Sequence, residues 1–99
     1  MYIKKIIYHK EVKQMSYDFY SSELSKAKDS ALHGYDLSSD QYYTVLKTCR
    51  ETSAWDEKGK LARGILYHLK RNGWRQLRYV SNRNTNDEEY YANQGYTLY

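Results

Sequence analysis

Proline is missing from this chain, and cysteine occurs only once, at Cys49. A single cysteine excludes an internal disulfide, which is typical of proteins in a reducing compartment. Long apolar runs are missing as well. The longest one near the amino terminus is Ile6-Ile7-Tyr8, far too short for the core of a signal peptide or for a membrane span. We therefore expect a cytoplasmic protein with no membrane partner.

Sequence motifs for catalysis, nucleotide binding and metal binding are also absent. The chain has no dinucleotide-binding glycine motif, no P-loop, no HExxH and no GxSxG. Its three histidines, His9, His33 and His68, share no metal-ligand spacing, and His68 is expected to be a half-buried structural residue. These absences predict no metal, no cofactor and no catalytic residues, and favour a binding protein over an enzyme.

Aliphatic residues are few, and much of the apolar content comes from thirteen tyrosines, two tryptophans and one phenylalanine. In 99 residues this composition predicts one domain, 1–99, whose core includes tyrosine rings. Each buried tyrosine then needs a hydrogen-bond partner for its hydroxyl. The abundance of Lys, Tyr, Asn, Ser and Ile without proline is typical of AT-rich genomes, including those of many phages, in which case the compartment is the host cytoplasm.

Three helices are predicted from capping residues and apolar periodicity. The first covers most of 14–33 and ends at Gly34, although 15–20 fits a strand equally well. The second runs roughly over 39–51, because Ser38 and Gln41 form a capping box before a buried stripe that includes Cys49. Cys49 is therefore expected to be an unreactive core thiol.

The third helix is predicted to start at Ser53 and to stop before Gly73. Asp56 and Glu57 place acids in its first turn, and bases occupy its last turn. Its apolar stripe is expected to include Trp55. Strands are predicted at 2–9, 74–81 and 96–99. The expected fold is α+β, three helices on a small, mainly antiparallel sheet in the order β-α-α-α-β-β.

Acidic residues are excluded from one third of the chain. Residues 58–86 contain eight Lys or Arg and no Asp or Glu, whereas 87–99 contains three acids and no base. The third helix is predicted to present a basic face opposite its apolar stripe, and the following strand adds more arginines. Such a single-sign surface attracts polyanions. The predicted nucleic-acid-binding residues, within 58–83, are Lys60, Arg63, Tyr67, Lys70, Arg71, Arg75, Arg78 and Arg83.

Three other interpretations fit the same residues. The basic face is also what a solvated helix needs, with Arg75 and Arg78 paired to the acids of 87–89. A protein-binding inhibitor or adaptor would meet an acidic partner here; if a phage or mobile element encodes it, the partner is a host or defence enzyme. Its interface would extend to the carboxyl-terminal tyrosines Tyr90, Tyr91, Tyr96 and Tyr99.

The chain is also similar in size and chemistry to RNA-cleaving toxins of the RelE type, which are short, basic, α+β and rich in Arg and Tyr. This resemblance rests on no shared motif. It implies acid–base and phosphate-binding roles for five residues of the basic segment 58–86. These are His68, Arg71, Arg75, Arg78 and Tyr79.

Overall fold

The computed structural model describes residues 22–98, which form four α-helices and one 3₁₀ turn. Within that range no residue belongs to a strand. The α+β prediction is therefore wrong, and the described part is a helical bundle. The predicted strand 2–9 and the segment 14–21 lie outside the described residues. The elements are α1 (22–33), α2 (Ser39–Glu51), α3 (Glu57–Arg71), η1 (Arg75–Leu77) and α4 (Thr85–Ala92).

A turn replaces the strand that was predicted at 74–81. Leu77 donates its backbone N–H to Trp74, and Val80 donates to Leu77, so the bonds follow the 3₁₀ pattern. Leu77 and Val80 are both buried. Their spacing of three residues suits one side of a tight helical turn, and an alternating strand would have placed them on opposite faces. The predicted last strand is also absent from the described part, because 95–98 is irregular.

The capping residues predicted the helix limits well. Ser38 and Gln41 form the capping box of α2, with Gln41 N–H donating to Ser38 Oγ at 3.1 Å. α1 ends before Gly34, whose φ of +77° is the left-handed conformation that glycine adopts readily. α3 starts later than predicted, because Asp56 caps it in place of Ser53. Trp55 consequently lies before the helix and is 89% exposed, so its predicted place in the apolar stripe is wrong.

The core is shared by all four helices and η1. Leu24, Ala27 and Ala31 of α1 are buried together with apolar residues of α2 and α3. Tyr42 is the largest fully buried side chain, which agrees with a core that uses tyrosine rings. Among residues 22–98 no helix is both long and apolar enough to cross a membrane.

Two glycines of α3 allow close backbone contacts. A Cβ at Gly59 would lie only 2.1 Å from the Ser53 carbonyl oxygen. A Cβ at Gly64 would lie 3.2 Å from the Thr97 carbonyl oxygen. The loop before α3 and the carboxyl-terminal segment therefore pack directly against the helix. That contact explains why the helix carries glycine where alanine would be a better helix former.

Cys49 is buried in α2, and we predict that its thiol does not react in the native protein. Burial raises the pKa of the Cys49 thiol to about 12, so the reactive thiolate is disfavoured near neutral pH. Reaction with a disulfide reagent such as DTNB should be slow at about pH 8 and should become fast in urea. Because the folded pKa is the higher one, this group stabilises the native state below about pH 8.5, and the contribution is lost as pH rises further. Rapid labelling without denaturant would contradict the prediction.

Candidate nucleic-acid interface

Arg63 was predicted on the solvent face of the third helix, but it is buried. Its guanidinium lies 5.2 Å from the ring centroid of Tyr91, which covers it from α4. No carboxylate bonds to this cation among the described residues; oxygen atoms of backbone and amide groups surround it. It donates to the carbonyls of Gly59 (3.1 Å), Cys49 (3.2 Å) and Thr52 (3.2 Å) and to the side chain of Gln94 (2.7 Å).

This geometry makes Arg63 a structural residue of the bundle. Cys49 and Thr52 lie at the carboxyl end of α2, where free carbonyls carry the negative end of the helix dipole. The guanidinium satisfies two of those carbonyls while it joins α2 to α3. Arg63 therefore cannot reach a phosphate in solution without leaving the core.

Arg83 is also occupied within the fold. Its guanidinium forms a two-pronged pair with Glu88, with Nη2 at 2.6 Å and Nε at 3.0 Å from the carboxylate oxygens. Glu88 is buried and also accepts the hydroxyl of Tyr42 at 2.5 Å. The hydrogen bond with Glu88 raises the pKa of Arg83. The pKa of Tyr42 is raised mainly by burial and also by its hydrogen bond to Glu88. This buried network holds the start of α4 against α2.

The acidic patch of α4 folds back on the basic residues around it. Lys70 pairs with Glu89 at 3.3 Å, and Arg50 pairs with Asp87. Arg78 pairs with Asp36 at 3.2 Å, which lies in the loop after α1. The predicted pairing of Arg75 and Arg78 with the acids of 87–89 is therefore wrong: Arg78 pairs with Asp36, and Arg75 has no acidic partner among residues 22–98. These pairs are exposed, so each contributes less than about 1 kcal/mol to stability.

Three of the predicted cations remain exposed without an acidic partner among residues 22–98: Lys60, Arg71 and Arg75. Arg71 and Arg75 lie together on either side of the corner between α3 and η1. Lys60 is eleven residues before Arg71 on α3, a distance of about 16 Å along the helix axis. The structure thus divides the predicted surface: among residues 22–98, two adjacent guanidinium groups without an acidic partner remain only at the corner between α3 and η1.

A groove of about 710 Å³ lies at this end of the molecule, between the end of α1 and the corner after α3. Arg71 and Arg75 line it together with two histidines, His33 and His68. His33 is exposed and His68 is half-buried. None of the described residues that line the groove is acidic. We name this site the basic groove, defined by His33, His68, Arg71 and Arg75.

Both walls of the basic groove are helix ends of the same type. After α1, Tyr35 N–H donates to Ser30 O at 2.9 Å, and Gly34 N–H donates to Ala31 O. After α3, Trp74 N–H donates to Leu69 O at 2.8 Å, and Gly73 N–H donates to Lys70 O. These bonds form two Schellman motifs, which satisfy carbonyls that would otherwise point into the groove.

The buried side chain of Gln76 links the two walls of the basic groove. It is buried in η1, and its side-chain nitrogen lies 3.1 Å from each of three carbonyl oxygens, those of Ser30, Ala31 and Tyr35. Its own backbone carbonyl accepts the N–H of Leu37 at 2.9 Å. A single buried amide therefore holds α1, the loop after it and η1 in one arrangement, which positions Arg75 opposite His33.

Aromatic rings accompany the cations of this region. The Tyr35 ring is stacked on the imidazole of His33, with centroids 5.9 Å apart and an angle of 12° between the rings. Arg71 lies 5.8 Å from the centroid of Tyr67, and Arg78 lies 5.4 Å from the centroid of Tyr79. Each ring is thus next to a cation or an imidazole, where it can contact a base while the neighbour contacts phosphate.

The sequence prediction did not include His33, which lines the basic groove, or Tyr35, which stacks on His33, among the binding residues. Gly34 did indicate that His33 and Tyr35 lie at the end of a helix. No sequence pattern indicated that this end of α1 lies beside the end of α3. His68 was predicted at the edge of the apolar stripe and is half-buried, whereas Tyr67 was predicted in the middle of the solvent face and is half-buried as well. His68 therefore keeps part of its ring accessible from the groove.

The carboxyl-terminal tyrosines do not form one exposed patch. Tyr91 is half-buried and packs on Arg63, whereas Tyr90 is 66% exposed. Tyr96 is half-buried beside α3, and Tyr99 lies outside the described residues.

A second groove of about 690 Å³ lies near Tyr96, but its lining includes Glu57 as well as lysines. Its mixed charge makes it less suited to a polyanion. Among the described residues no cluster of His, Cys, Asp and Glu could hold a metal ion.

Comparison with known proteins adds no second line of argument. No family model matches the chain, and neither a curated protein nor a solved structure is significantly similar to it. Functional inference therefore rests on the basic groove itself.

Proposed function

We propose that the protein binds nucleic acid through the basic groove. The observation that carries the proposal is the meeting of Arg71 and Arg75, two free guanidinium groups, with His33 and His68 in one cavity without an acid among its described lining residues. Guanidinium binds phosphate through two parallel N–H donors, and neutral or charged imidazole supplies further donors. The proposal narrows the predicted surface 58–83 to the corner between α3 and η1 and extends it to α1.

The charge of the molecule supports this choice. The chain has a net charge of +4, and three of its acids pair with other cations: Asp36 with Arg78, Glu88 with Arg83 and Glu89 with Lys70. No acid among residues 22–98 forms an ion pair with either groove arginine. A concave site of one sign concentrates field lines and raises the association rate of a polyanion.

The test is fluorescence anisotropy with labelled single-stranded RNA, single-stranded DNA and duplex DNA at two salt concentrations. The groove variant Arg71→Gln/Arg75→Gln removes two positive charges. The control Lys26→Gln/Lys60→Gln removes the same charge from exposed positions outside the groove. Both variants should keep the wild-type circular dichroism spectrum, because none of these four side chains is buried.

We expect wild-type binding that weakens steeply with salt, and at least tenfold weaker binding by the groove variant. Its plot of log affinity against log salt should be shallower by roughly 1.4, if each arginine neutralises one phosphate of a single strand. The control should retain nearly all of the affinity. Equal losses in the two variants would mean that only net charge matters, and no binding at low salt would overturn the proposal. An acidic protein partner would then be sought with the same variants.

A second candidate function, RNA cleavage, is favoured by the presence of two imidazoles and two guanidinium groups in the same groove. One imidazole would accept the proton of a ribose 2′-hydroxyl as that oxygen bonds to phosphorus. The other, protonated, would donate a proton to the departing 5′-oxygen, and the arginines would stabilise the charge on the phosphate. The likeness to RelE-type toxins is weaker than the sequence implied, because the described residues contain no sheet.

This second function predicts products with a 2′,3′-cyclic phosphate and a 5′-hydroxyl, detected by gel analysis and mass spectrometry. His33→Gln and His68→Gln should each abolish cleavage while binding persists. RNA that remains intact after prolonged incubation with wild-type protein would exclude the activity and leave the binding proposal unchanged.

A further inference from the structure

We infer that the basic groove selects single-stranded nucleic acid, because two exposed tyrosines at its rim, Tyr35 and Tyr79, provide stacking surfaces for unpaired bases. The inference rests on the proposed function and specifies the class of nucleic acid. It depends on different side chains, so it can fail while the phosphate contacts of Arg71 and Arg75 are correct.

Tyr35 is an exposed ring on a rigid backbone. Its side chain is 67% exposed, yet its N–H is bonded to Ser30 and its carbonyl accepts from the buried amide of Gln76. One face of the ring is stacked on His33, which itself lines the groove. His33 is positioned in turn, because its Nδ1 lies 2.7 Å from the Asp29 carbonyl oxygen. A base that stacks on Tyr35 would continue this column of rings from the groove outward.

Tyr79 is a second exposed ring, four residues after Arg75 in the chain. Its side chain is 77% exposed and follows η1, whose first residue, Arg75, lines the groove. Arg78 lies over the ring and also pairs with Asp36, the residue that follows Tyr35. This ion pair links the turn of Tyr79 to the loop of Tyr35. The two rings are therefore parts of one surface that continues from the basic groove.

Such an arrangement favours single-stranded over double-stranded nucleic acid. Bases in a duplex are already stacked on each other and present only their edges, whereas an unpaired base can place its flat face on a tyrosine ring. Stacking of this kind tolerates any base, so it requires no hydrogen-bond pattern for sequence readout. The groove supplies hydrogen-bond donors for phosphate next to the exposed rings. A single strand can use both contacts at once, whereas a duplex cannot offer its base faces to the rings.

The closing experiment compares the double variant Tyr35→Ala/Tyr79→Ala with the control Tyr43→Ala/Tyr90→Ala. The control removes two other exposed rings, 45% and 66% exposed, which belong to α2 and α4 and not to the elements that line the groove. Affinity is measured for a single-stranded oligonucleotide and for the duplex formed from it, with the variant Arg71→Gln/Arg75→Gln as a third protein. Circular dichroism and thermal unfolding establish that all variants are folded.

We expect wild-type protein to bind the single strand at least tenfold more tightly than the duplex. The Tyr35/Tyr79 variant should lose about tenfold or more for the single strand and little for the duplex, since stacking on each ring has a magnitude of roughly 1–3 kcal/mol. Equal affinity for both forms, or an unchanged affinity of the Tyr35/Tyr79 variant, would overturn the inference while leaving the proposed function intact. Failure of the proposed function would give a different result: the Arg71→Gln/Arg75→Gln variant would bind as tightly as wild type.

Discussion

Replacing Arg63 by alanine is expected to lower the free energy of unfolding by about 3 kcal/mol or more. The truncation leaves the carbonyls of Cys49 and Thr52, at the carboxyl end of α2, without this donor, and each unsatisfied buried acceptor costs roughly 1–3 kcal/mol. It also removes the planar group on which Tyr91 packs. Urea unfolding monitored by circular dichroism would measure the loss.

The conservative substitution separates charge from geometry at this position. Arg63→Lys keeps the positive charge but has one ammonium nitrogen in place of the planar guanidinium. It therefore cannot reach the acceptors in α2, in α3 and at Gln94 together. We expect Arg63→Lys to lose at least half as much stability as Arg63→Ala. Lys60→Ala, on the same helix but exposed, is the control and should change stability by less than about 0.5 kcal/mol. A midpoint for Arg63→Ala equal to that of Lys60→Ala would show that the buried bonds contribute nothing.

Replacing Glu88 by alanine is expected to cost a similar amount, about 3–5 kcal/mol, because it breaks a buried ion pair by removing one partner. Arg83 would lose both of its bonds to the carboxylate, and the buried hydroxyl of Tyr42 would lose its acceptor. The same hydroxyl accepts the N–H of Asn84 at 2.8 Å, so the loss extends to the N-cap residue of α4. Thermal unfolding and urea titration would both show it.

The neighbouring carboxylate provides a matched control. Glu89 has the same charge and lies one position along α4, but it pairs with Lys70 at the surface. Glu89→Ala should therefore change the free energy of unfolding by less than about 1 kcal/mol. Glu88→Gln, which keeps the shape and one acceptor oxygen, should fall between the two. Equal effects of Glu88→Ala and Glu89→Ala would mean that burial of this pair does not matter to the fold.

These two networks change how the acid-free segment 58–86 is understood. Arg63 and Arg83 serve packing, since Arg63 bonds to α2 and to Gln94 after α4, and Arg83 bonds to the buried Glu88 of α4. Lys70 and Arg78 neutralise acids from α4 and from the loop after α1. Much of the absence of acids is thus consistent with structural roles of the cations, and the proposed binding function depends on Arg71 and Arg75.

Local interactions explain which parts of the fold were predictable. The capping box of Ser38 and Gln41 and the glycine after α1 act over three or four residues, so the sequence alone indicates them. The strand prediction at 74–81 failed because Leu77 and Tyr79 favour strands by composition, whereas the left-handed residues Gly73 and Trp74 start a tight turn. Burial of Leu77 and Val80 against the helices decided between the two.

The sequence by itself determined the limits of α2 and the ends of α1 and α3, together with the concentration of basic residues after residue 57. Only the tertiary structure decided which of those basic residues face solvent. The partners of Arg63, Arg78 and Arg83 come from other elements: Gln94 is 31 residues from Arg63, and Asp36 is 42 residues from Arg78. The basic groove likewise forms where two helix ends meet. A helical wheel records only the angle of a side chain about its own axis, and burial of a charge depends on what the rest of the chain packs against that side.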